Sequence, residues 1–282
     1  MPFLLNSQRN PPLTKQGSAM SVEDFHKLSR NQQKKVMRQE LWQAHAAEYR
    51  EKQRAKSKES RKRRNQRIAQ EAAAQGTTAQ KQKKQRLEDQ RKSEMRVVLD
   101  MDFDELMEEK EIKSVCSQVM RCYSANRQAE VSVALHVTEL HGSIRERFQG
   151  AMKQHLGWSK DHIVMHEKGE YLDLFQKEDL VYLTADSPNE VQTLDPTKVY
   201  VVGGIVDKNR YPRLTLDKAE SQGIAHARLP IGQYVRMSTR KVMTVNQIFE
   251  MLIGYVATND WRTAFLATIP ERKFNGENDD TV

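Results

Sequence analysis

The feature that most constrains this chain is a short apolar run, residues 199–202, that ends in two adjacent glycines. The run reads Val-Tyr-Val-Val, and an apolar run rich in β-branched residues is typical of a strand buried on both faces. At Gly203 and Gly204 the missing Cβ lets another backbone or a ligand approach closely. Asp207 comes three residues after the pair. Because ligands of open α/β sheets bind outside the carboxyl ends of the strands, this stretch predicts a site.

Strand-like and helix-like segments alternate along the chain on both sides of this run. We predict further strands at residues 97–99, 131–137, 163–165, 180–183 and 225–229, and helices at 105–123, 144–156, 216–222, 244–257 and 261–268. Gly223 stands where a helix that ends at residue 222 would take a left-handed cap. This alternation predicts an α/β fold with a parallel sheet.

Positive charge is concentrated in the first third of the chain. Residues 1–96 hold 24 Lys and Arg against 10 Asp and Glu, whereas the remaining 186 hold 22 against 28. A basic arm on a mildly acidic body predicts a polyanionic partner held by the arm. A charged, solvated helix is the alternative on composition alone. The run Arg61-Lys62-Arg63-Arg64 also fits a nuclear localisation signal, and these interpretations do not exclude one another.

The arm is predicted to be helical after a disordered start. Residues 1–20 contain three Pro and one Gly, whereas residues 21–75 are rich in Ala, Gln, Lys and Arg and have few helix breakers. Gly76 interrupts this pattern, and we expect the helix to resume over residues 81–96. The predicted organisation is a disordered N-terminus (1–20), a basic helical extension (21–95), an α/β body (96–273) and a flexible tail (274–282).

Four blocks of the body resemble one family of enzymes. They read DLVYLTADSP at residues 179–188, VVGGIVDKNR at 201–210, ARLPIG at 227–232 and RKVMTVNQIFE at 240–250. In this order and spacing they look like the tRNA (guanine-N1)-methyltransferases that modify purine nine, which belong to the SPOUT class, and they are similar to its guanosine-specific cytoplasmic and nuclear branch. The resemblance implies a parallel sheet with a C-terminal trefoil knot, S-adenosylmethionine as the methyl donor and tRNA as the substrate.

The resemblance also implies where the cofactor binds. The loops after Leu183, Gly203 and Leu229, and the turn that enters the helix at residue 244, would wrap S-adenosylmethionine. Adenine needs an apolar slot, Gly204 would let the ligand approach, and a helix start would offer amide donors. Taken alone, each aliphatic residue also fits ordinary core. The predicted cofactor residues are Leu183, Thr184, Gly203, Gly204, Leu229, Ile231, Val242, Thr244 and Val245.

Asp207 is the candidate catalytic residue, because the resemblance implies a general base at this position. A carboxylate within hydrogen-bond reach of guanine N1 can accept the proton that must leave when the methyl group arrives. The alternative is that Asp207 caps a turn or pairs with a neighbouring cation. The candidates for contacts with tRNA phosphates are Lys208, Arg210, Arg213, Arg121 and Arg127.

These features together predict an enzyme that methylates N1 of guanosine 9 in tRNA. The alternative is a non-catalytic RNA-binding subunit that keeps the fold, although such a subunit would need neither the glycine pair nor Asp207. We expect a monomer that works in the cytoplasm, the nucleus or both.

Other classes of site find little support. His162 and His166 flank a strand-like segment and no third ligand cluster follows, so no metal site is predicted. No apolar run approaches the ~20 residues of a membrane span. Cys116 and Cys122 are too few for a disulfide scaffold, which favours a reducing compartment.

Overall fold

The helices and strands of the chain fall into two compact units, the first ending at Gln82 and the second beginning at Lys83. The structure is a computed structural model and describes residues 22–236 and 243–270. The predicted disordered segment 1–20 and flexible tail 274–282 lie outside the described residues.

The first unit is helical. Helix α1 spans Val22–Lys27 and α2 spans Arg30–Ala74. Ser29 begins α2 with a reciprocal cap, in which its Oγ accepts the Gln32 amide and the Gln32 side chain accepts the Ser29 amide. Gly76 follows the helix with a φ of 67°, a conformation that suits glycine. The predicted helix is therefore confirmed over Arg30–Ala74, as is its interruption at Gly76, but the predicted helical stretch is divided at Leu28 and Ser29.

Little burial stabilises α2. Of its described residues, only Ala46 and Ala72 are buried. Exposed pairs one turn apart support it, such as Glu48 with the ammonium of Lys52 at 2.6 Å, and each such pair contributes only about 0.3–0.5 kcal/mol. The helix therefore depends mainly on the intrinsic propensity of its Ala, Gln, Lys, Arg and Glu residues.

Helix α3 spans Ala79–Glu88, and strand β1 spans Arg91–Asp100. The prediction of a helix over residues 81–96 is therefore wrong beyond Glu88, and the first strand begins before the predicted start of the body. The first two residues of β1 are charged, but they pair in parallel with Val131 and Ser132. That pairing partner is distant in the sequence, so local helix propensity gave the wrong state.

Six parallel strands form one sheet, as predicted, in the order β3-β2-β1-β5-β4-β6. After β1 the strands are β2 (Val131–Thr138), β3 (Val164–Met165), β4 (Leu180–Leu183), β5 (Val199–Gly203) and β6 (Ala225–Ala227). The chain leaves β1 towards β2 on one side and leaves β5 towards β6 on the other. The trefoil knot implied by the resemblance stays a prediction.

Seven α-helices complete the described part of the second unit: α4 (Glu109–Gln128), α5 (Gly142–Gln149), α6 (Tyr171–Leu174), α7 (Leu214–Gln222), α8 (Ile231–Tyr234), α9 (Val245–Thr258) and α10 (Trp261–Thr268). Short 3-10 turns span Asp104–Leu106, Lys153–Gly157 and Lys177–Asp179. The predicted helices at 105–123 and 144–156 are each divided between a 3-10 turn and an α-helix. The helix at 261–268 and the left-handed cap at Gly223, with a φ of 66°, are confirmed.

Successive residues of the central strands face opposite sides of the sheet. In β5, Tyr200 and Val202 belong to the larger core, which α4, α9 and α10 cover. Val199 and Val201 face the other way and pack with Ala219 of α7. Both faces of the sheet are thus buried, which is why the strands read as continuous apolar runs.

Four side chains that drew interest in the sequence prove to be packed or paired inside the body. Cys116 and Cys122 of α4 are buried free thiols. His162 bonds the Gln90 side chain at 2.7 Å, whereas His166 bonds His136 at 2.9 Å, so the two histidines do not converge. No helix in the described ranges combines the length and the apolar character that crossing a membrane requires.

Asn126 ties α4 to the sheet. Its side-chain amide donates to the Val133 carbonyl at 2.8 Å and the His162 carbonyl at 2.8 Å, and its oxygen accepts the Val133 amide at 2.9 Å. The residue is fully buried, so each of these bonds satisfies a group that water cannot reach.

Replacing Asn126 by alanine should lower the free energy of unfolding by about 3 kcal/mol or more, because it leaves buried backbone groups without partners. Urea unfolding of the full chain measures this loss. Gln128→Ala is the matched control, since Gln128 is exposed and its side chain bonds only Ser124 within its own helix. Equal stability of the two variants would contradict the role given to Asn126.

Candidate functional site

A cavity of about 360 Å³ lies at the carboxyl ends of β4, β5 and β6. The residues around it follow directly on these strands or begin α7, α8 and α9. The structure brings six of the predicted cofactor residues to its wall, namely Leu183, Thr184, Gly203, Leu229, Ile231 and Val245. The loops singled out in the sequence therefore converge on one space.

The two glycines after β5 have different environments. Gly203 lines the cavity, and a Cβ there would lie 2.8 Å from Cγ2 of Thr215. A Cβ on Gly204 would instead meet the Met101 side chain and, at 2.8 Å, the carbonyl oxygen of Asp100. The expectation that Gly204 makes room for a ligand is therefore corrected: a glycine is needed there because β1 and β5 approach closely.

The start of α9 also differs from expectation. The Val245 side chain lines the cavity, but its amide donates to Oε1 of Gln118 at 2.9 Å. The Thr244 amide bonds Gln247 in a capping box, and Thr244 is exposed and not on the cavity wall. These two amides are therefore occupied within the protein rather than free for a ligand. Val242, the remaining predicted residue, lies outside the described residues.

Asp207 lies on the cavity wall and at the same time holds its own loop. Its Oδ1 accepts the Asn209 amide at 2.9 Å and its Oδ2 accepts the Tyr211 amide at 3.0 Å. Asp207 therefore caps the turn, as one alternative from the sequence had it, and the same residue lines the cavity. Since each carboxylate oxygen has two lone pairs, each can accept one more hydrogen bond.

The loop that carries Asp207 contains an unusual density of left-handed residues. Lys208, Asn209 and Arg213 have φ values of 54°, 63° and 62°. Outside glycine such conformations are uncommon, and they persist where surrounding contacts hold them. Here the Asp207 carboxylate and the Asp186 carboxylate, which accepts the Arg213 amide at 2.9 Å, hold the two ends of the loop.

Two of the predicted phosphate-binding residues have partners inside the protein. The Arg210 guanidinium donates to Glu111 at 2.5 Å and to the carbonyl of Leu106 at 3.1 Å. Arg213 donates to Asp217 at 3.1 Å and Glu220 at 3.2 Å. These contacts therefore hold the loop that carries Asp207 in place. We correct the expectation that both are free for phosphates.

For the side chains of the other three predicted phosphate-binding residues, the described part of the chain provides no hydrogen bond or salt bridge. Lys208 and Arg121 are exposed, and Arg127 is half-buried at the end of α4. The structure thus leaves these cations as the stronger candidates on the body for contact with a polyanion.

Sequence reasoning missed two further carboxylates on the cavity wall. Asp186 follows β4, and Glu190 lies beyond it, where it accepts a hydrogen bond from Arg228 at 3.0 Å. With Asp207 they place three carboxylates on the wall against one guanidinium, that of Arg228, which pairs with Glu190. The net negative charge suits a cationic ligand. The sequence signal for these two carboxylates was their position in the loop that follows the predicted strand at residues 180–183.

A buried ionic network lies next to Gly203, below the cavity. The carboxylate of Asp100 is fully buried and receives the Lys218 ammonium at 2.8 Å and the Tyr182 hydroxyl at 2.7 Å. Although burial alone would lower the pKa of Lys218, Asp100 and then Asp102 raise it above its ordinary value. Burial and the Asp100 charge raise the pKa of Tyr182. The network thus joins the end of β1 to β4 and α7.

Comparisons with known proteins agree on one family. The profile described as tRNA (guanine(9)-N(1))-methyltransferase TRM10/TRM10A matches residues 26–274. A tRNA (guanine(9)-N1)-methyltransferase of Schizosaccharomyces pombe is 42% identical over 253 residues, which cover 87% of this chain and 80% of that protein. The tRNA methyltransferase 10 homolog A of Xenopus tropicalis is 40% identical over 64% of this chain, and the match spans about half, 53%, of the Xenopus protein.

A solved structure supports the same relationship. The crystal structure of full-length spTrm10 in complex with SAH superposes with a TM-score of 0.59 at 45% identity, over 64% of this chain and 97% of that chain. A second crystal structure, of spTrm10(74), gives a TM-score of 0.59 at 46% identity over 63% of this chain and 95% of that chain.

Substitutions at the two glycines should have different effects, one mainly on stability and the other mainly on ligand binding. Gly204→Ala places a Cβ 2.8 Å from a backbone oxygen that cannot move aside, and should lower the free energy of unfolding by about 1–3 kcal/mol. Gly203→Ala crowds only a side chain and should cost less stability, but it displaces Thr215 in the cavity wall. We expect this variant to bind S-adenosylmethionine more weakly.

Thermal unfolding and calorimetric titration with S-adenosylmethionine, both on the full chain, measure the two effects. The orientation assigned to the glycines is contradicted if folded Gly204→Ala loses ligand affinity while Gly203→Ala keeps it.

Proposed function

The chain belongs to the tRNA (guanine(9)-N(1))-methyltransferase family TRM10/TRM10A, and from this premise we propose that it transfers a methyl group from S-adenosylmethionine to N1 of guanine 9 in tRNA. The observation that carries the proposal is the cavity at the ends of three parallel strands with Asp207 on its wall. A non-catalytic RNA-binding subunit is disfavoured, since binding alone needs no carboxylate held at such a cavity.

The cavity has the size and lining that the methyl donor requires. Its volume of about 360 Å³ falls within the ~300–1,000 Å³ of small-molecule sites. Leu183, Leu229 and Ile231 would enclose the adenine ring. Asp186 and Glu190 would face the positive charges of the donor. S-adenosylmethionine supplies a methyl group on a positively charged sulfur and leaves as SAH, the ligand named with the related spTrm10 structure.

Asp207 would act as the general base. Guanine N1 carries a proton at neutral pH, and the ring nitrogen is a poor nucleophile until that proton leaves. The Asp207 carboxylate is held in place by two backbone amides and keeps lone pairs for this proton. A positioned base of this kind contributes roughly 10²–10⁴-fold to the rate. The remaining task of the chain is to align the two reactants.

tRNA would be held by the basic arm and by cations of the body. Helix α2 carries 14 Lys and Arg against five Glu, and such a helix attracts phosphates without reading sequence. On the body, Lys208, Arg121 and Arg127 are the proposed contacts. Monomeric action, a trefoil knot around the cavity, and a location in the cytoplasm, the nucleus or both are part of the proposal.

Asp207→Asn removes the base but keeps the size of the side chain and an oxygen that can accept a loop amide. We expect turnover with tRNA to fall by about 10²–10⁴-fold, with little change in the dissociation constants of S-adenosylmethionine and tRNA. Single-turnover methylation measures the rate, and calorimetric titration with each ligand measures the two dissociation constants.

Asp186→Asn is the control, because it alters another carboxylate of the same wall that is not the proposed base. It should weaken cofactor binding while keeping the methylation rate at saturating cofactor. Wild-type turnover of Asp207→Asn would refute the general-base role and leave Asp207 as a turn cap.

The arm can be tested by its charge. Replacing Arg61, Lys62, Arg63 and Arg64, all exposed, by glutamine keeps good helix formers but removes up to four phosphate contacts. The slope of log affinity for tRNA against log salt should flatten by up to about 3.6, at ~0.9 per contact. A variant with four lysines at these positions retains the charge and should keep the wild-type slope. Identical slopes for all three proteins would exclude these four residues from contact with tRNA phosphates.

A further inference from the structure

Helix α2 carries an apolar patch that its role as a charged rod does not explain. The patch consists of Met37, Leu41, Trp42, His45 and Tyr49, and the large side chains are exposed by 50% (Met37), 60% (Leu41), 52% (Trp42) and 49% (Tyr49). Along the rest of the helix the described residues are mostly charged or amide side chains and alanine. Exposed large apolar groups collected on one side of a helix mark an interaction surface.

The two rings of the patch leave flat surfaces free. Trp42 and Tyr49 lie two turns apart with ring centroids at 5.3 Å and planes inclined by 60°. Ala46 stands between them along the same face and is buried. Because the rings are tilted rather than stacked on each other, each keeps a face against which another planar group can stack.

Cations extend the same side of the helix beyond the rings in both directions. At 3.6 residues per turn, six exposed cations between residues 34 and 56 lie within about 80° of Trp42 around the helix. Three of them precede the rings and three follow. They are Lys34, Lys35, Arg38, Arg50, Lys52 and Lys56.

The carboxylates near the patch do not oppose this charge. Glu48, at the edge of the patch, is paired with the Lys52 ammonium at 2.6 Å and lies 3.8 Å from the His45 ring. Glu40 and Glu51 fall on the opposite side of the helix from Trp42. The face therefore presents flat aromatic surface framed by positive charge.

We propose that this face binds unpaired nucleotides of RNA, with bases stacked on Trp42 and Tyr49 and phosphates on the flanking cations. The combination is the one that single-stranded nucleic acid requires, because every base has a π-face and every linkage has a negative charge. The identity of the RNA as tRNA rests on the proposed function. The contact would add to the arm an affinity for loops or unpaired ends, which phosphate contacts with a duplex do not provide.

A protein partner fits this face less well. A helix that docks into a protein groove presents anchors at successive turns that fill apolar pockets. Here the central groups are aromatic rings with polar edges and an imidazole, and cations continue along the same face. A folded protein partner would need both an apolar pocket for the rings and an acidic strip for the cations. Each nucleotide of an RNA strand instead supplies a base that can stack on a ring and a phosphate that can pair with a cation.

Three variants of the full chain at position 42 distinguish stacking from general apolar contact. Trp42→Phe keeps an aromatic ring, Trp42→Leu keeps apolar surface without a π-face, and Trp42→Ala removes both. The probes are unmodified tRNA, oligouridine and a fully paired RNA hairpin whose two strands are joined by a non-nucleotide linker, so that it has no unpaired base. Leucine, alanine and phenylalanine are compatible with an exposed helical position, and circular dichroism checks the helix content.

Stacking predicts that Trp42→Leu and Trp42→Ala weaken binding of tRNA and oligouridine by about 5-fold to 100-fold, while Trp42→Phe retains most of the affinity. The salt slope should not change, because no phosphate contact is lost. Binding of oligouridine should quench tryptophan emission in the wild type, and Trp42→Phe should lose that quenching. Affinity for the paired hairpin should be the same in all four proteins.

Wild-type affinity of Trp42→Leu for oligouridine would overturn the proposal, as would quenching that persists in Trp42→Phe or an equal loss of affinity for the paired hairpin. These readouts do not depend on methyl transfer. A protein that stacks oligouridine but methylates no tRNA would contradict the proposed function alone, and one that methylates tRNA without quenching would contradict this inference alone.

Discussion

The close contact between the ends of β1 and β5 is the constraint on which the site depends. The Gly204 amide donates to the Asp100 carbonyl oxygen at 2.6 Å, and no larger residue fits there without displacing the backbone. Beneath this contact the Lys218 ammonium pairs with the buried Asp100 carboxylate, and the Tyr182 hydroxyl donates a hydrogen bond to it. The chain leaves β1 and β5 in opposite directions, so a ligand crevice would ordinarily open between them. Because this crevice is closed, the cavity lies instead over β4, β5 and β6.

Helix α4 then holds the two sides of the cavity in register. Near its first turn Glu111 receives the Arg210 guanidinium at 2.5 Å and so fixes the loop of Asp207. Two turns later Gln118 accepts the Val245 amide at 2.9 Å and fixes the start of α9. A proton acceptor is useful only if its carboxylate is held within a fraction of an ångström of its productive position. Arg210 therefore serves the proposed reaction through the geometry of Asp207.

Much of this arrangement could be predicted from the sequence, and the failures have physical causes. The parallel sheet and the convergence of Leu183, Gly203 and Leu229 follow from apolar runs that end in loops, since parallel strands end at one edge of the sheet. The role of Gly204 depends on which way the backbone faces after β5, and local pattern does not reveal this. The partner of Arg210, Glu111, is distant in sequence, so charge alone suggested a free cation.

The central claim is that this chain is a catalyst acting on one atom of tRNA. The most direct measurement is mass spectrometry of nuclease fragments from a tRNA transcript incubated with the purified chain and S-adenosylmethionine carrying a deuterated methyl group. The claim predicts one labelled methyl group, on N1 of guanine 9, and an equal amount of SAH. Unlabelled tRNA from a protein that binds both tRNA and S-adenosylmethionine, or a label on another nucleotide, would contradict it.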